Sequence, residues 1–216
     1  MVKLPGKRFE GKLIRGFLHE PVGQAVSAPH DDALALTHGA GGNCESPLLL
    51  ALADVFAAAG WHVLRYDLPF RIQGKSPSPA QAVRDREGIR EAASALREAS
   101  GARGLSLSGS SYGGRQSTML AAEDATIAQA LLLLSYPLHP PGKPLTLRTE
   151  HFPALRTPAL FAHGTRDAFG SIDELRAAIA LIPARTELIE IAGAPHGLPP
   201  KSAASVASQF IEFVAR

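Results

Sequence analysis

The sequence predicts an α/β fold, a single domain in which one mostly parallel central sheet is flanked by helices on both faces. Three observations predict it. Short apolar runs alternate with helix-forming stretches along nearly the whole chain. Strand–helix alternation of this kind requires a parallel sheet, because each crossover brings the chain back to start the next strand from the same edge. The runs at 33–37, 130–135 and 159–162 are compact and apolar, as strands covered on both faces must be.

The elements follow in order. Residues 13–18 and 23–27 read as two short strands, and 33–37 as a buried strand that stops at His38-Gly39. Ser46-Pro47 is a helix-start pair, and the helix runs over 48–59 to Gly60. Residues 61–66 form a strand and 67–78 a Pro/Gly-rich loop. Residues 79–99 form an amphipathic helix in which Gly88 is a local weakness. The second half repeats the pattern, with strands at 104–107, 130–135, 159–162 and 186–191. Its helices fall at 113–122, 172–181 and 202–214.

With 216 residues, 45% of them hydrophobic and 19% charged, the chain fits one globular domain over 1–216 and excludes a disordered one. A formal charge of +2 with scattered basic residues excludes a nucleic-acid face. Lys3, Lys7, Arg8, Lys12 and Arg15 read as a solvated amino-terminal segment. Cys44 is the one cysteine, so no intramolecular disulfide forms and a reducing compartment is implied. The first residues contain no apolar core of a signal peptide. The longest apolar run, 130–134, is far too short to span a membrane. The expectation is a cytoplasmic protein without nucleic-acid or membrane partners.

Ligands of such sheets bind at the carboxyl ends of the strands, so the loops there matter most. Gly109-Ser110-Ser111-Tyr112-Gly113 fits Gly-x-Ser-x-Gly and lies between a strand and a helix, the setting of a nucleophile elbow. The glycine register selects Ser111 over Ser110. A serine hydroxyl needs a base, and His196, in Gly193-Ala194-Pro195-His196-Gly197 after the last strand, sits at the right edge. His163 ends its own strand and supports its loop, His139 and His151 lie in a Pro-rich connection, and His62 opens a strand at the wrong end. The base in turn needs a carboxylate to hold its tautomer. Asp167, just past the strand at 159–162, supplies it, whereas Asp173 and Glu174 fit the first turn of the next helix.

The oxyanion of a tetrahedral intermediate needs fixed N–H donors. One is expected from Tyr112, the residue after the serine. The other comes from His38-Gly39-Ala40-Gly41-Gly42, with Ala40 the chosen donor and Gly41 its rival. This loop lacks the Lys-Ser/Thr of a P-loop and the spacing of a dinucleotide site. Gly39, Gly41, Tyr136, Leu138 and His139 are expected to contact substrate. No metal-ligand spacing such as His-x-x-x-His occurs, and no cofactor or metal is expected.

The order Ser, Asp, His behind a His-Gly loop resembles the α/β-hydrolase superfamily over nearly the whole chain. More narrowly, Gly113-Gly114-Arg115, the run from Tyr136 to Pro144 and Gly164-Thr165-Arg166-Asp167-Ala168-Phe169-Gly170 are similar to the small hydrolases grouped with testis-expressed protein 30, near the dienelactone-hydrolase branch. The chain departs from that group at Ser110 and Tyr112, where the resemblance implies Arg and Met. Lid domains of the superfamily enter between the strands that here end at Ser135 and resume at Ala159. The Pro-rich residues 136–158 leave no room for one.

The expected function is serine hydrolysis of small carboxylic esters or thioesters through an acyl-enzyme, at a shallow, open site. The alternative is a non-catalytic binding module on the same fold. The expected partner is a small ester-type molecule, and the sequence leaves the oligomeric state open.

Overall fold

A computed structural model describes residues 6–22 and 32–216. The strand expected at 23–27 lies outside the described residues. Among the described residues eight strands form one sheet: β1 (Lys7–Glu10), β2 (Arg15–His19), β3 (Asp32–Thr37), β4 (His62–Asp67), β5 (Gly104–Ser110), β6 (Ala130–Leu134), β7 (Ala159–Gly164) and β8 (Thr186–Ile191). Their order is β1-β2-β4-β3-β5-β6-β7-β8. The strands from β4 to β8 in that order pair in parallel, while β2 is antiparallel to both β1 and β4. Of the basic residues near the start, Lys7 and Arg8 lie on the exposed strand β1, in which Lys7 to Glu10 pairs with Leu18 to Arg15, and Lys3 lies outside the described residues.

Among the described residues six α-helices cover the sheet: α1 (Pro47–Ala58), α2 (Pro69–Ile72), α3 (Pro79–Ser100), α4 (Tyr112–Glu123), α5 (Ile172–Ile179) and α6 (Ala203–Val214). Successive strand residues point to opposite faces, and the core divides accordingly. Leu131 and Leu133 of β6 face a cluster with Ile89, Leu96, Leu120 and Leu175 from α3, α4 and α5. Leu132 and Leu134 face a second cluster with Leu49, Phe56, Val206 and Phe210 from α1 and α6. Phe56, Trp61 and Phe210 meet ring against ring at 5.3–6.1 Å. Truncating Phe56 to alanine in so packed a place costs about 3–5 kcal/mol.

Local signals set the helix ends. Pro47 occupies the first position of α1, as expected, but the Ser46 hydroxyl donates back to the Asn43 carbonyl at 2.8 Å and caps nothing. Ser78 caps α3, and Gly101 ends it in the left-handed conformation at φ 65°. Gly88 proves to be a contact point: a Cβ there would stand 2.7 Å from Pro69 Cδ. Short α2, within the stretch expected to be loop, packs at that point. Ser171 and Glu174 form a reciprocal capping box on α5, which accounts for Glu174 at that position. Among the described residues no separate lid lies between β6 and β7, and no helix is long and apolar enough to cross a membrane.

Candidate active site

Because β3, β5, β7 and β8 run parallel, the segments that follow them open at one edge of the sheet. Ser111 sits between β5 and α4 with φ 47° and ψ −112°, a backbone conformation that costs a non-glycine residue on the order of 1–3 kcal/mol. Its N–H donates to the Leu134 carbonyl at 2.8 Å and its carbonyl accepts from Arg115 N–H at 3.0 Å. The turn closes only because its neighbours lack side chains. A Cβ on Gly109 would lie 2.4 Å from the Gly113 carbonyl carbon, and one on Gly113 would lie 2.5 Å from the His38 oxygen.

Loop 192–197 brings His196 to this turn. Its Nε2 lies 2.8 Å from Ser111 Oγ, and its Nδ1 lies 2.9 and 2.8 Å from the two oxygens of Asp167. With the proton on Nδ1, the ring donates to the carboxylate and accepts from the serine hydroxyl. Asp167 Oδ1 also accepts from Phe169 N–H at 2.8 Å, and the Phe169 ring stacks on His196 with centroids 4.0 Å apart. The Asp167 side chain is fully enclosed. His163, also fully buried, donates from Nε2 to the Gly170 carbonyl at 2.8 Å and lies 3.5 Å from Asp167 Oδ2. It braces the loop that carries Asp167 and Phe169.

The loop after β3 lies against the serine: a Cβ on Gly39 would be 3.2 Å from Ser111 Cβ. His38 holds it, donating from Nδ1 to the Gly39 carbonyl at 2.8 Å and accepting at Nε2 from Leu68 N–H at 3.1 Å. Arg71 donates to the Ala40 carbonyl at 2.9 Å. Opposite, Tyr112 begins α4, so its N–H has no acceptor within the helix. Its hydroxyl donates to Asp85 Oδ2 at 2.7 Å, and Asp85 Oδ1 accepts from Phe70 N–H at 3.0 Å. Burial raises the Asp85 carboxyl above the usual range, and burial followed by the Asp85 contact raises the Tyr112 phenol. Asp85 lies in the charged run Arg84-Asp85-Arg86-Glu87, where nothing in the sequence separates it from solvated neighbours.

Ser111, Tyr112, His196, Gly39, Ala40 and Gly41 all line one cavity of about 890 Å³. A space of this size lies toward the upper end of the range for small-molecule sites. Its walls come from the start of α3 (Pro79, Ala82, Val83), from Leu48 and Leu49 of α1, and from Met119 of α4. Of the run after β6, Pro137 reaches the cavity, while Tyr136, Leu138 and His139 do not line it. The expected substrate contacts of those three are therefore corrected. Ser135 takes φ 51° and the chain then turns into the core. Tyr136 packs on Phe152 and Phe161 and donates to the Arg148 carbonyl at 2.7 Å. Leu138 is fully buried beneath Gly170, and the His139 ring lies beside the Pro140 carbonyl and Glu174.

A serine on a strained strand-to-helix turn, at the carboxyl edge of a sheet of this order, defines the α/β-hydrolase class. The chain belongs to the family described as Alpha/beta hydrolase domain, whose model matches residues 30–214. No curated protein matches it in sequence. Among solved structures it is similar to Est1E from Butyrivibrio proteoclasticus, at 15% identity and a TM-score of 0.76, over 99% of this chain and 100% of that one. It is also similar to a dienelactone hydrolase from Anabaena variabilis, at 19% identity and a TM-score of 0.72, over 97% of each chain. A third likeness is XC6422 from Xanthomonas campestris, described as an α/β serine hydrolase without lid. It is 15% identical with a TM-score of 0.72, over 94% of this chain and 93% of that one. At these identities the likeness is one of fold.

Proposed function

We propose that this chain is a serine hydrolase that cleaves carboxylic esters or thioesters through an acyl-enzyme. The observation that carries the reading is the unbroken line from Ser111 Oγ through the His196 ring to Asp167, with each step at 2.8–2.9 Å. Ser111 Oγ attacks the substrate carbonyl as His196 Nε2 takes its proton. Asp167 keeps the ring in the right tautomer and stabilises the imidazolium. The oxyanion forms against the N–H groups of Tyr112 and Ala40, which cost no reorganisation because α4 and the Arg71-held loop fix them. The imidazolium then protonates the departing alcohol or thiol, and water repeats the sequence on the acyl-enzyme to release the acid and free serine.

The fold relatives described as a dienelactone hydrolase and as an α/β serine hydrolase without lid support hydrolysis as the reaction class. The run Tyr136-Pro137-Leu138-His139 supports a place near the testis-expressed protein 30 group, and a single cysteine supports a reducing, cytoplasmic setting. The test is turnover of p-nitrophenyl butyrate. Wild type is expected to hydrolyse it with or without EDTA, and Ser111→Ala and His196→Ala to lose at least about 10⁴-fold in kcat. Activity that EDTA abolishes and zinc restores, or a Ser111→Ala variant as fast as wild type, would refute the mechanism.

A further inference from the structure

The cavity wall carries three arginines, Arg86, Arg115 and Arg148, and no aspartate or glutamate among the described residues. The charge of Arg86 is answered by Glu123 at 3.2 Å, and Arg86 also donates to Gln116 Oε1 at 3.1 Å. The other two differ. Neither Arg115 nor Arg148 is ion-paired with a described carboxylate, and Arg115 Nε is buried with no hydrogen-bond partner. One guanidinium N–H of Arg148 reaches the Pro137 carbonyl, at a long 3.3 Å. Burial, and then the charge of Arg115, lower the Arg148 pKa, against smaller raising effects of Tyr136 and Glu150.

Gln116 makes the same point independently. It is fully buried and lines the cavity, and its Nε2 has no partner. The Arg86 contact to its oxygen fixes the amide so that the NH₂ remains the free end. The cavity wall thus holds two buried donors without partners, Arg115 Nε and Gln116 Nε2, beside Arg148, whose hydrogen bond to the Pro137 carbonyl is long. Buried donors without partners are costly, and a planar guanidinium fork matches a carboxylate in two parallel bonds.

We propose that Arg115, Gln116 and Arg148 form an anion subsite, and that the substrate is an ester whose acyl group ends in its own carboxylate. The inference rests on the serine-hydrolase reading above. Arg115 lies four residues beyond Ser111, about 6 Å along the α4 axis at the helical rise per residue, and its side chain extends further. The carboxylate therefore lies several bonds from the scissile carbonyl, as in the half-esters of glutarate or adipate. The apolar wall of Leu49, Ala82 and Met119 suits the methylenes between.

The test compares mono-p-nitrophenyl glutarate with its neutral methyl ester. Wild type should favour the charged substrate in kcat/KM by about tenfold or more, the size of one charge-assisted pair. In Arg148→Gln and Arg115→Gln that ratio should fall to about one, and Arg148→Lys should restore part of it. The ratio is the readout, so a variant's overall rate does not decide the outcome. Calorimetric titration of Ser111→Ala with glutarate reads the subsite without turnover, and Arg148→Gln in that background should abolish the heat. Both esters cleaved at a ratio near one, or no binding of glutarate to Ser111→Ala, would overturn the subsite. Tighter binding of inorganic phosphate than of glutarate would overturn its assignment to carboxylates. Glutarate binding with neither ester cleaved by wild type would instead count against the hydrolase reading and leave the subsite standing.

Discussion

The hydroxyl of Tyr112 donates to the buried Oδ2 of Asp85 at 2.7 Å, tying the residue after the proposed nucleophile to the inner face of α3. The same carboxylate takes the Phe70 N–H, so one side chain anchors both α2 and the start of α4. Tyr112→Phe removes one of two partners from a buried carboxylate. It should destabilise the fold by about 1–3 kcal/mol, as read by urea unfolding. The backbone N–H survives the change, so kcat/KM should fall by no more than about tenfold. A variant as stable as wild type would mean that the contact contributes nothing.

The glycines of the two site loops should respond in opposite ways. Gly109→Ala drives a methyl group to 2.4 Å from α4 backbone that has no flexible end to move aside. Overpacking of this kind costs about 1–3 kcal/mol or more, and a lowered melting temperature is expected. A Cβ on Gly41 meets nothing within 4 Å and the residue needs no positive φ. Gly41→Ala should keep the wild-type melting temperature. Equal melting temperatures for the two variants would contradict the packing of the elbow.

Acid should destabilise the protein over a defined window. Burial and then the Arg65 charge hold His19 at a pKa of about 4, and Arg65 Nε donates to the lone pair of His19 Nε2 at 2.8 Å. Burial and then Arg115 hold His151 at about 4. An unfolded chain binds protons at both rings below about 6.5, and the folded chain refuses them until about 4. Stability contributed by these neutral rings is therefore present above about 6.5 and is lost as pH falls toward 4. Unfolding midpoints across that range should drop less steeply in His19→Gln and in His151→Gln than in wild type. An unchanged slope in both would show that neither ring resists protonation.

The sheet and the line from Ser111 to Asp167 were legible in the sequence because both depend on local order. Apolar runs mark strands, and Gly109 and Gly113 flag a turn wherever it falls. His196 and Asp167 were found because strand ends share one edge. The cavity walls were not legible. Val83 and Ala82 belong to the helix before β5, and the Tyr112–Asp85 hydrogen bond, the Arg86–Glu123 pair and the packing of Pro69 against Gly88 hold it against the elbow. Tyr136 and Leu138 carried the right composition for a pocket wall, but the positive φ of Ser135 turns them into the core. The donor cluster of Arg115, Gln116 and Arg148 joins α4 to the connection after β6, a juxtaposition that no spacing encodes.

The central claim is that Ser111 is the nucleophile, and labelling with a fluorophosphonate tests it most directly. The reagent phosphonylates a serine only where a base has activated it. Intact mass should show one adduct on wild type, and peptide mapping should place it on Ser111. Ser110→Ala should label as wild type does, and Ser111→Ala should not label at all. An adduct on Ser110 in the Ser111→Ala protein, or a folded wild-type protein that takes no label, would contradict the account.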